Sequence, residues 1–267
     1  MYKNNKISII LPTLNEEKNL RLLIPQIVNL LEKELKISYE MIIVDDSSTD
    51  GTKDLVNKIS RTNESVKFLP RSEPKSLPLS ILDGVNFANS DDVMWLDADG
   101  SMTPLAVGKL LRTYFDYKNT LNEKVIIGSR FIEGGGYKGV KDVKNQSIIS
   151  SIKNVRESND SVFGMLLSII INKLLSFLFN TELTDLTSGF IVLNKELISP
   201  QVFEGKEYGE YFIYLISSLL EKRAQIEEVG YICETRLHGY SKTGSGIIKF
   251  ILRGIPYIKA AFYKGKK

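Results

Sequence analysis

Short apolar runs alternate with helical periodicity through the first half of the chain. Runs rich in Ile, Val and Leu at Ile7–Leu11, Glu40–Val44, Val66–Leu69, Val93–Leu96 and Val125–Gly128 read as strands. Between them, apolar positions recur at helical spacing over Glu17–Leu35, Thr52–Ser60, Leu77–Ala88 and Pro104–Tyr117, the last opening with Pro at a favoured first-turn position. This alternation predicts an α/β fold, a mostly parallel Rossmann-like sheet with helices on both faces.

The pattern dissolves over Ile132–Ser161, where Gly134-Gly135-Gly136 leads into lysines and polar residues, and a long loop is predicted. A hydrophobic helix over Val162–Phe179, a strand at Gly189–Leu193, a helix at Glu210–Glu221 and a strand at Ile226–Cys233 follow. Asn172 and Lys173 interrupt the apolar helix, which falls short of the roughly 20 residues that cross a bilayer. It reads either as a core helix or as one lying in a membrane interface, and no spanning helix is predicted.

Composition narrows the picture. With 267 residues, 43% apolar and 25% charged, the chain can bury a sizeable core and lacks the signature of disorder. The single cysteine, Cys233, allows no internal disulfide, and no signal peptide is visible, so a reducing cytoplasmic setting is expected. The formal charge of +3 conceals an uneven distribution: residues 236–267 hold eight Lys or Arg and no acid, while the other 27 basic and all 32 acidic residues precede them. Within that tail Lys249, Arg253 and Lys259 fall on one side of a helical projection, with Ile248, Ile251, Leu252, Ile255 and Phe262 largely on the others. Such a segment suits the cytoplasmic face of an anionic membrane as a peripheral attachment, and no nucleic-acid motif accompanies it. We therefore expect a main domain over 1–243 and a basic amphipathic membrane-associating segment over 244–267.

Ligands of open α/β sheets bind at the carboxyl ends of strands, and here those ends are loaded. The first strand runs into Pro12-Thr13-Leu14-Asn15-Glu16, the second into Asp45-Asp46-Ser47-Ser48, the fourth into Asp97-Ala98-Asp99 and the fifth into Ser129-Arg130. Asp97 and Asp99 suit a hard divalent ion shared with substrate phosphates, or else a helix cap. Asp45 and Asp46 can accept hydrogen bonds from a ribose or base, and Ser47–Gly51 reads as a turn with an N-cap. No glycine-rich phosphate loop follows the first strand, which argues against a nicotinamide dehydrogenase.

PTLNE, VDDSSTDGT, DAD, GSRF, DLTSGF and RLHGYSK, in this order over residues 7–243, resemble family 2 glycosyltransferases of the GT-A fold, and among them the dolichyl- or polyprenyl-phosphate mannosyltransferases. The resemblance implies donor-binding roles for Pro12, Leu14, Glu16, Asp45, Asp46, Asp97, Ala98, Asp99 and Arg130. It also implies Mg²⁺ or Mn²⁺ on Asp97 and Asp99, and an acceptor side formed by Asp185, Ser188, Arg236, Ser241 and Lys242. Departures are Leu186 where Pro is usual, Ser101 where many relatives hold the metal through glutamine, and Lys75-Ser76-Leu77-Pro78 in place of a glycine-rich stretch. The arginine usual before the hydrophobic helix is also missing at its spacing, with Arg156 the nearest.

A nucleoside diphosphate leaves with extra negative charge, which a divalent ion and Arg130 would stabilise. A sugar-hydroxyl acceptor needs a general base, for which Glu210 is the candidate. A lipid phosphate is already anionic and needs cations, for which Arg236 and Lys242 are candidates. His238, the lone histidine, is given no catalytic role. The expected catalytic residues are thus Asp99, Arg130, Arg236 and Lys242, acting on a nucleoside diphosphate sugar (GDP-mannose favoured) and on polyprenyl or dolichyl phosphate, with inversion at the anomeric carbon. UDP-glucose as donor, a hydroxyl acceptor, or a non-catalytic sugar-nucleotide-binding scaffold are the alternatives.

Overall fold

The computed structural model describes residues 2, 4–72, 74–119, 124–137, 140–141, 162–238, 256, 257, 259, 260 and 262. In chain order the elements are β1 (Lys6–Thr13), α1 (Glu17–Asn29), β2 (Ser38–Asp45), α2 (Thr52–Ser60), β3 (Val66–Pro70), α3 (Leu77–Phe87), β4 (Asp92–Trp95), α4 (Pro104–Asn119), β5 (Val125–Ser129), β6 (Gly136–Tyr137), β7 (Val140–Lys141), α5 (Val162–Phe179), β8 (Ile191–Asn194), α6 (Tyr211–Glu221), β9 (Ile226–Gly230) and β10 (Ile232–Cys233).

Successive side chains of a strand point to opposite faces, and both faces of this sheet are buried. Ile7, Ile9 and Leu11 join Met41, Ile43 and Met94 in one core, covered by α1, α2 and α4. Ile10 joins Ile42, Val44, Val93 and Trp95 in the other, covered by α3 and α6. That two-sided burial explains why these strands read as continuous apolar runs. The seven strands run in the order β3-β2-β1-β4-β8-β5-β9, all parallel except β8, which is antiparallel to both β4 and β5. A three-stranded sheet, β10-β6-β7, sits beside it.

Several boundaries differ from the sequence pattern. The helix read over Glu17–Leu35 changes at Leu30 into a wider π-type stretch, Leu30–Leu35, which seats Leu30, Leu31 and Leu35 in the core and stops where Lys36 turns left-handed at φ 54°. The strand read over Ile226–Cys233 is split, because Tyr231 leaves the large sheet and its carbonyl accepts the Gly136 N–H at 3.0 Å. The loop read over Ile132–Ser161 contains β6 and β7; Arg156 lies outside the described residues. Of the C-terminal segment, Tyr257 and Ala260 pack with the core on the α6 face.

Glu40 opens β2's apolar run, yet is itself buried. Its carboxylate accepts hydrogen bonds from Ser8 Oγ (2.5 Å), the Asn89 N–H (2.6 Å) and Lys67 Nζ (2.5 Å). Burial pushes its carboxyl up, but Lys67, Ser8 and Asn89 outweigh it and hold it at about 2. A depressed folded-state value means that Glu40 adds stability above the ordinary carboxylate range, lost as pH falls from about 4.5 through about 2. Urea midpoints at neutral and acid pH should therefore diverge less for Glu40→Gln than for the wild type.

Candidate active site

The loops after β1, β2 and β4 meet in one cleft of about 240 Å³. Register brings them together, since Thr13 pairs with Asp45 and Ile10 with Trp95. Asp50 fixes the rim: its carboxylate accepts the Thr52 N–H (2.9 Å) at the start of α2 and the Glu17 N–H (3.1 Å) at the start of α1, so one side chain caps both helices. Asn15, at φ 54°, links the two loops by accepting the Thr49 N–H at 2.7 Å.

Of the donor positions inferred from the sequence, Pro12, Leu14, Glu16, Asp46, Asp97, Ala98 and Asp99 line this cleft, as does Arg236. Asp45 does not. Its carboxylate turns to the Ser48 N–H (3.1 Å), and its other oxygen is buried without a hydrogen-bond partner. Asp46 lines the cleft and is engaged on both oxygens: it pairs with Arg71 through one and accepts the Ser76 N–H (2.6 Å) through the other. Arg71 also binds Asp83 Oδ2 (2.6 Å) and Ser80 Oγ (3.2 Å), anchoring the first turns of α3 to β2. Arg71 was not among the positions read from the sequence; its only signal there is that it follows the third apolar run after Pro70.

Asp97 opens onto the cleft, but the surrounding protein and the adjacent Asp99 charge push its carboxyl up to about 7, against the pull of Arg236. Asp99 is buried; Oδ1 accepts the Ser101 N–H at 2.9 Å and Oδ2 lies 3.1 Å from Arg236 Nε. Arg236 Nη1 lies 3.9 Å from Glu16 Oε1. Two hard carboxylates that repel each other beside an open cleft fit a divalent ion completed by waters and substrate phosphate. Among the described residues no group of three or more His, Cys, Asp or Glu side chains is placed to hold a metal ion, so the pair is all they offer here.

Gly100 makes the turn after Asp99 possible. Its φ is +82°, and a Cβ there would stand 2.6 Å from Leu237 Cδ1. Gly100→Ala is expected to cost at least about 1 kcal/mol and to lower donor binding together with the melting temperature. The check is a melting curve alongside a nucleotide titration.

Arg130 does not line this cleft, although its charge still pulls on Asp97. Its guanidinium makes a bidentate pair with Asp185 (Nε–Oδ2 and Nη2–Oδ1, both 2.7 Å) and donates to Thr187 Oγ1 at 3.1 Å. Asp185 is fully buried, and the turn that carries it is held by Glu228, which accepts the N–H groups of Thr184 and Asp185 at 2.9 Å. On α5, Asn172 completes the network: its Oδ1 accepts the Leu186 N–H (2.7 Å) and its Nδ2 donates to Thr187 Oγ1 (2.9 Å). The polar interruption of the apolar helix is thus its attachment to the DLTSGF turn. Ser188 is buried in the same turn, while Ser241 and Lys242 lie outside the described residues. Glu210 does not face the cleft; its carboxylate accepts the N–H groups of Glu207 (2.7 Å) and Tyr208 (3.0 Å), and it is these two residues that reach the cleft wall.

Comparison with known proteins agrees with this architecture. The chain is 29% identical over 94% of its length to a dolichol-phosphate mannosyltransferase of Pyrococcus furiosus, of which it covers 62%. It is 28% identical over 48% of its length to the dolichol-phosphate mannosyltransferase of Saccharomyces cerevisiae, of which it covers 46%. It therefore spans less than two thirds of the length of either relative. Its fold is similar to that of glucosyl-3-phosphoglycerate synthase from Mycobacterium tuberculosis, solved in complex with Mn²⁺ and UDP-glucose (TM-score 0.60, 15% identity, 98% of this chain and 80% of that one). A second crystal structure of that enzyme, with Mg²⁺ and UDP, gives a TM-score of 0.57 at 16% identity over 96% and 76% of the two chains. The model of glycosyl transferase family 2 matches residues 8–199, and the chain belongs to that family.

Proposed function

We propose that the chain transfers a hexose from a nucleoside diphosphate sugar to polyprenyl or dolichyl phosphate at a membrane surface, with mannose from GDP-mannose the favoured donor. The observation that carries this reading is the single cleft in which Glu16, Asp97, Asp99 and Arg236 converge. The relatives named dolichol-phosphate mannosyltransferases support the choice of sugar and lipid.

In this reading Pro12, Leu14 and Glu16 bound the nucleotide, and Asp97 and Asp99 would hold Mg²⁺ or Mn²⁺. Such an ion, when bound, supplies positive charge to the departing diphosphate. The complexes of the structural relative with Mn²⁺ or Mg²⁺ support the use of a divalent ion here. Arg236 supplies a positive charge for the acceptor phosphate, and the Arg130–Asp185 pair fixes the turn on the acceptor side. Inversion follows from direct attack of an anionic phosphate oxygen on the anomeric carbon from the face opposite the leaving group.

An anionic acceptor needs no general base, and Glu210 supports that: both of its oxygens are engaged by backbone N–H groups. Glu210→Gln should therefore retain transfer within about 10-fold while lowering the melting temperature. A general base would cost about 10²–10⁴-fold. A hydroxyl acceptor has one observation in its favour, the exposed Glu207 on the cleft wall, and a loss of that size in Glu207→Gln would support it.

Peripheral membrane association is supported by α5, where Ile170, Leu174, Phe177 and Leu178 form an exposed apolar stripe opposite the buried Asn172 and Leu175. No helix among the described residues is long and apolar enough to cross a membrane. The test combines labelled sugar nucleotides, Mg²⁺ or Mn²⁺, and polyprenyl phosphate in vesicles. Labelled lipid is the expected product. Label appearing only in free sugar polymer would overturn the lipid-phosphate acceptor, and donor binding without transfer to any acceptor would favour a scaffold.

A further inference from the structure

Arg236 belongs by sequence to the acceptor side, yet its guanidinium is paired with the carboxylates of the donor side. The backbone that carries it is fixed. Cys233 bridges to Met102, the Glu234 N–H donates to the Ser101 carbonyl (3.0 Å) and the Leu237 N–H donates to the Asp99 carbonyl (3.2 Å), so the strap runs antiparallel along the Asp99–Met102 turn. Beyond it, the His238 carbonyl accepts from Asn19 Nδ2 at 3.2 Å. The side chain of Arg236 projects from this strap toward the cleft, where its Nε meets Asp99 Oδ2 at 3.1 Å and its Nη1 lies 3.9 Å from Glu16 Oε1.

Three carboxylates around one cleft repel each other, and a guanidinium offsets part of that charge. A divalent ion needs carboxylate oxygens at about 2.1 Å, and Asp99 already accepts the Ser101 N–H through Oδ1, so an ion that engages Oδ2 meets the oxygen that Arg236 now holds.

We propose that Arg236 is a positioning residue: it keeps Glu16 and Asp99 converged as a resident counter-cation, and a divalent ion that loads onto Asp97 and Asp99 displaces its guanidinium, freeing it to meet a phosphate. This rests on the metal site proposed above. The exchange couples the order of events, because the cation that meets the phosphate is released only when the metal has taken its place.

The test is Mn²⁺ titration of the full chain without nucleotide, followed by electron paramagnetic resonance. Arg236→Gln should bind Mn²⁺ at least about 5-fold more tightly than the wild type, the lower end of ordinary coupling between sites. Its melting temperature in EDTA should fall below the wild type's, and Mn²⁺ should raise it by more. In the wild type, Mg²⁺ should shift the ¹⁵Nε resonance of Arg236, a readout independent of how the variant folds. Lys75→Gln, which removes another cation from the cleft wall, should leave Mn²⁺ affinity within about 2-fold; a gain equal to that of Arg236→Gln would reduce the effect to general charge and overturn the proposal. Equal Mn²⁺ affinity in wild type and Arg236→Gln with an unmoved resonance overturns it as well, while leaving the metal site standing. Absence of saturable Mn²⁺ binding in the wild type, with or without a nucleoside diphosphate, overturns the metal site itself and this inference with it.

Discussion

Asp99→Asn is expected to lower transfer by about 10²–10³-fold, the usual cost of removing one preorganised electrostatic contact from a reaction that develops charge. The substitution is nearly isosteric. Its amide oxygen can still accept the Ser101 N–H, and the Asp99 carbonyl can still accept the Leu237 N–H, so the turn that presents Asp97 keeps its internal bonds. What disappears is the charge on Oδ2, and with it both the pair with Arg236 and one of the carboxylates offered to a divalent ion. Relief of the like-charge crowding also lets the Asp97 carboxyl fall back toward the ordinary carboxylate range, since the Asp99 charge is, after desolvation by the surrounding protein, the next cause of its elevation. The variant should thus fold, bind Mn²⁺ weakly and turn over poorly, a combination that misfolding would not give. Transfer assays with labelled donor, Mn²⁺ titration and a melting curve test it, with Lys267→Ala in the basic tail as the control expected to keep the wild-type rate. An unchanged rate in Asp99→Asn would remove Asp99 from the chemistry.

Asp99 was legible in the sequence for the same reason that β1, β2 and β4 were. These strands are buried on both faces, so they appear as apolar runs, and the first polar residues after each run fall at the sheet edge where ligands bind. Direction is not encoded in such a run. Ile191–Asn194 looks the same whether it runs with its neighbours or against them, and only its place between β4 and β5 reveals that it is antiparallel. Nor is the pairing of charges encoded. Arg130 and Asp185 stand 55 positions apart, and the resemblance gives them separate roles, donor phosphate and acceptor side, with no sign that the two side chains pair. The resemblance offers Glu210 as the base of a hydroxyl-activating relative, and nothing in the sequence shows that its carboxylate accepts the N–H groups of Glu207 and Tyr208. The two faces of α5 were hidden too, because Leu175 turned inward and Phe177 turned outward are equally apolar.

The Arg130–Asp185 pair carries the second large expectation, this time on stability. Asp185 has no exposed side-chain surface and accepts three N–H groups of Arg130, its backbone N–H at 3.0 Å and two guanidinium N–H at 2.7 Å. Asp185→Asn leaves the guanidinium, itself only 13% exposed, without a counter-charge. Breaking a buried pair in this way costs about 3–5 kcal/mol, which for a domain of this size corresponds to a fall in melting temperature of roughly 6–20 °C. Replacing both partners should cost less. In Arg130→Met with Asp185→Leu neither charge of the pair remains, and apolar replacement of a buried ion pair is commonly neutral or stabilising; the N–H of residue 130 loses its acceptor, at about 1–3 kcal/mol, so the double variant is expected to melt below the wild type but above Asp185→Asn. Transfer should behave differently. The turn from Thr184 to Ser188 would keep its bonds to Glu228 and Asn172 but lose the guanidinium that also holds Thr187, so the acceptor side would be folded and yet misplaced. Recovered stability without recovered transfer would assign the pair to the reaction as well as to the fold. Recovery of both would make it a structural brace alone, and a double variant less stable than Asp185→Asn would contradict the energetic argument.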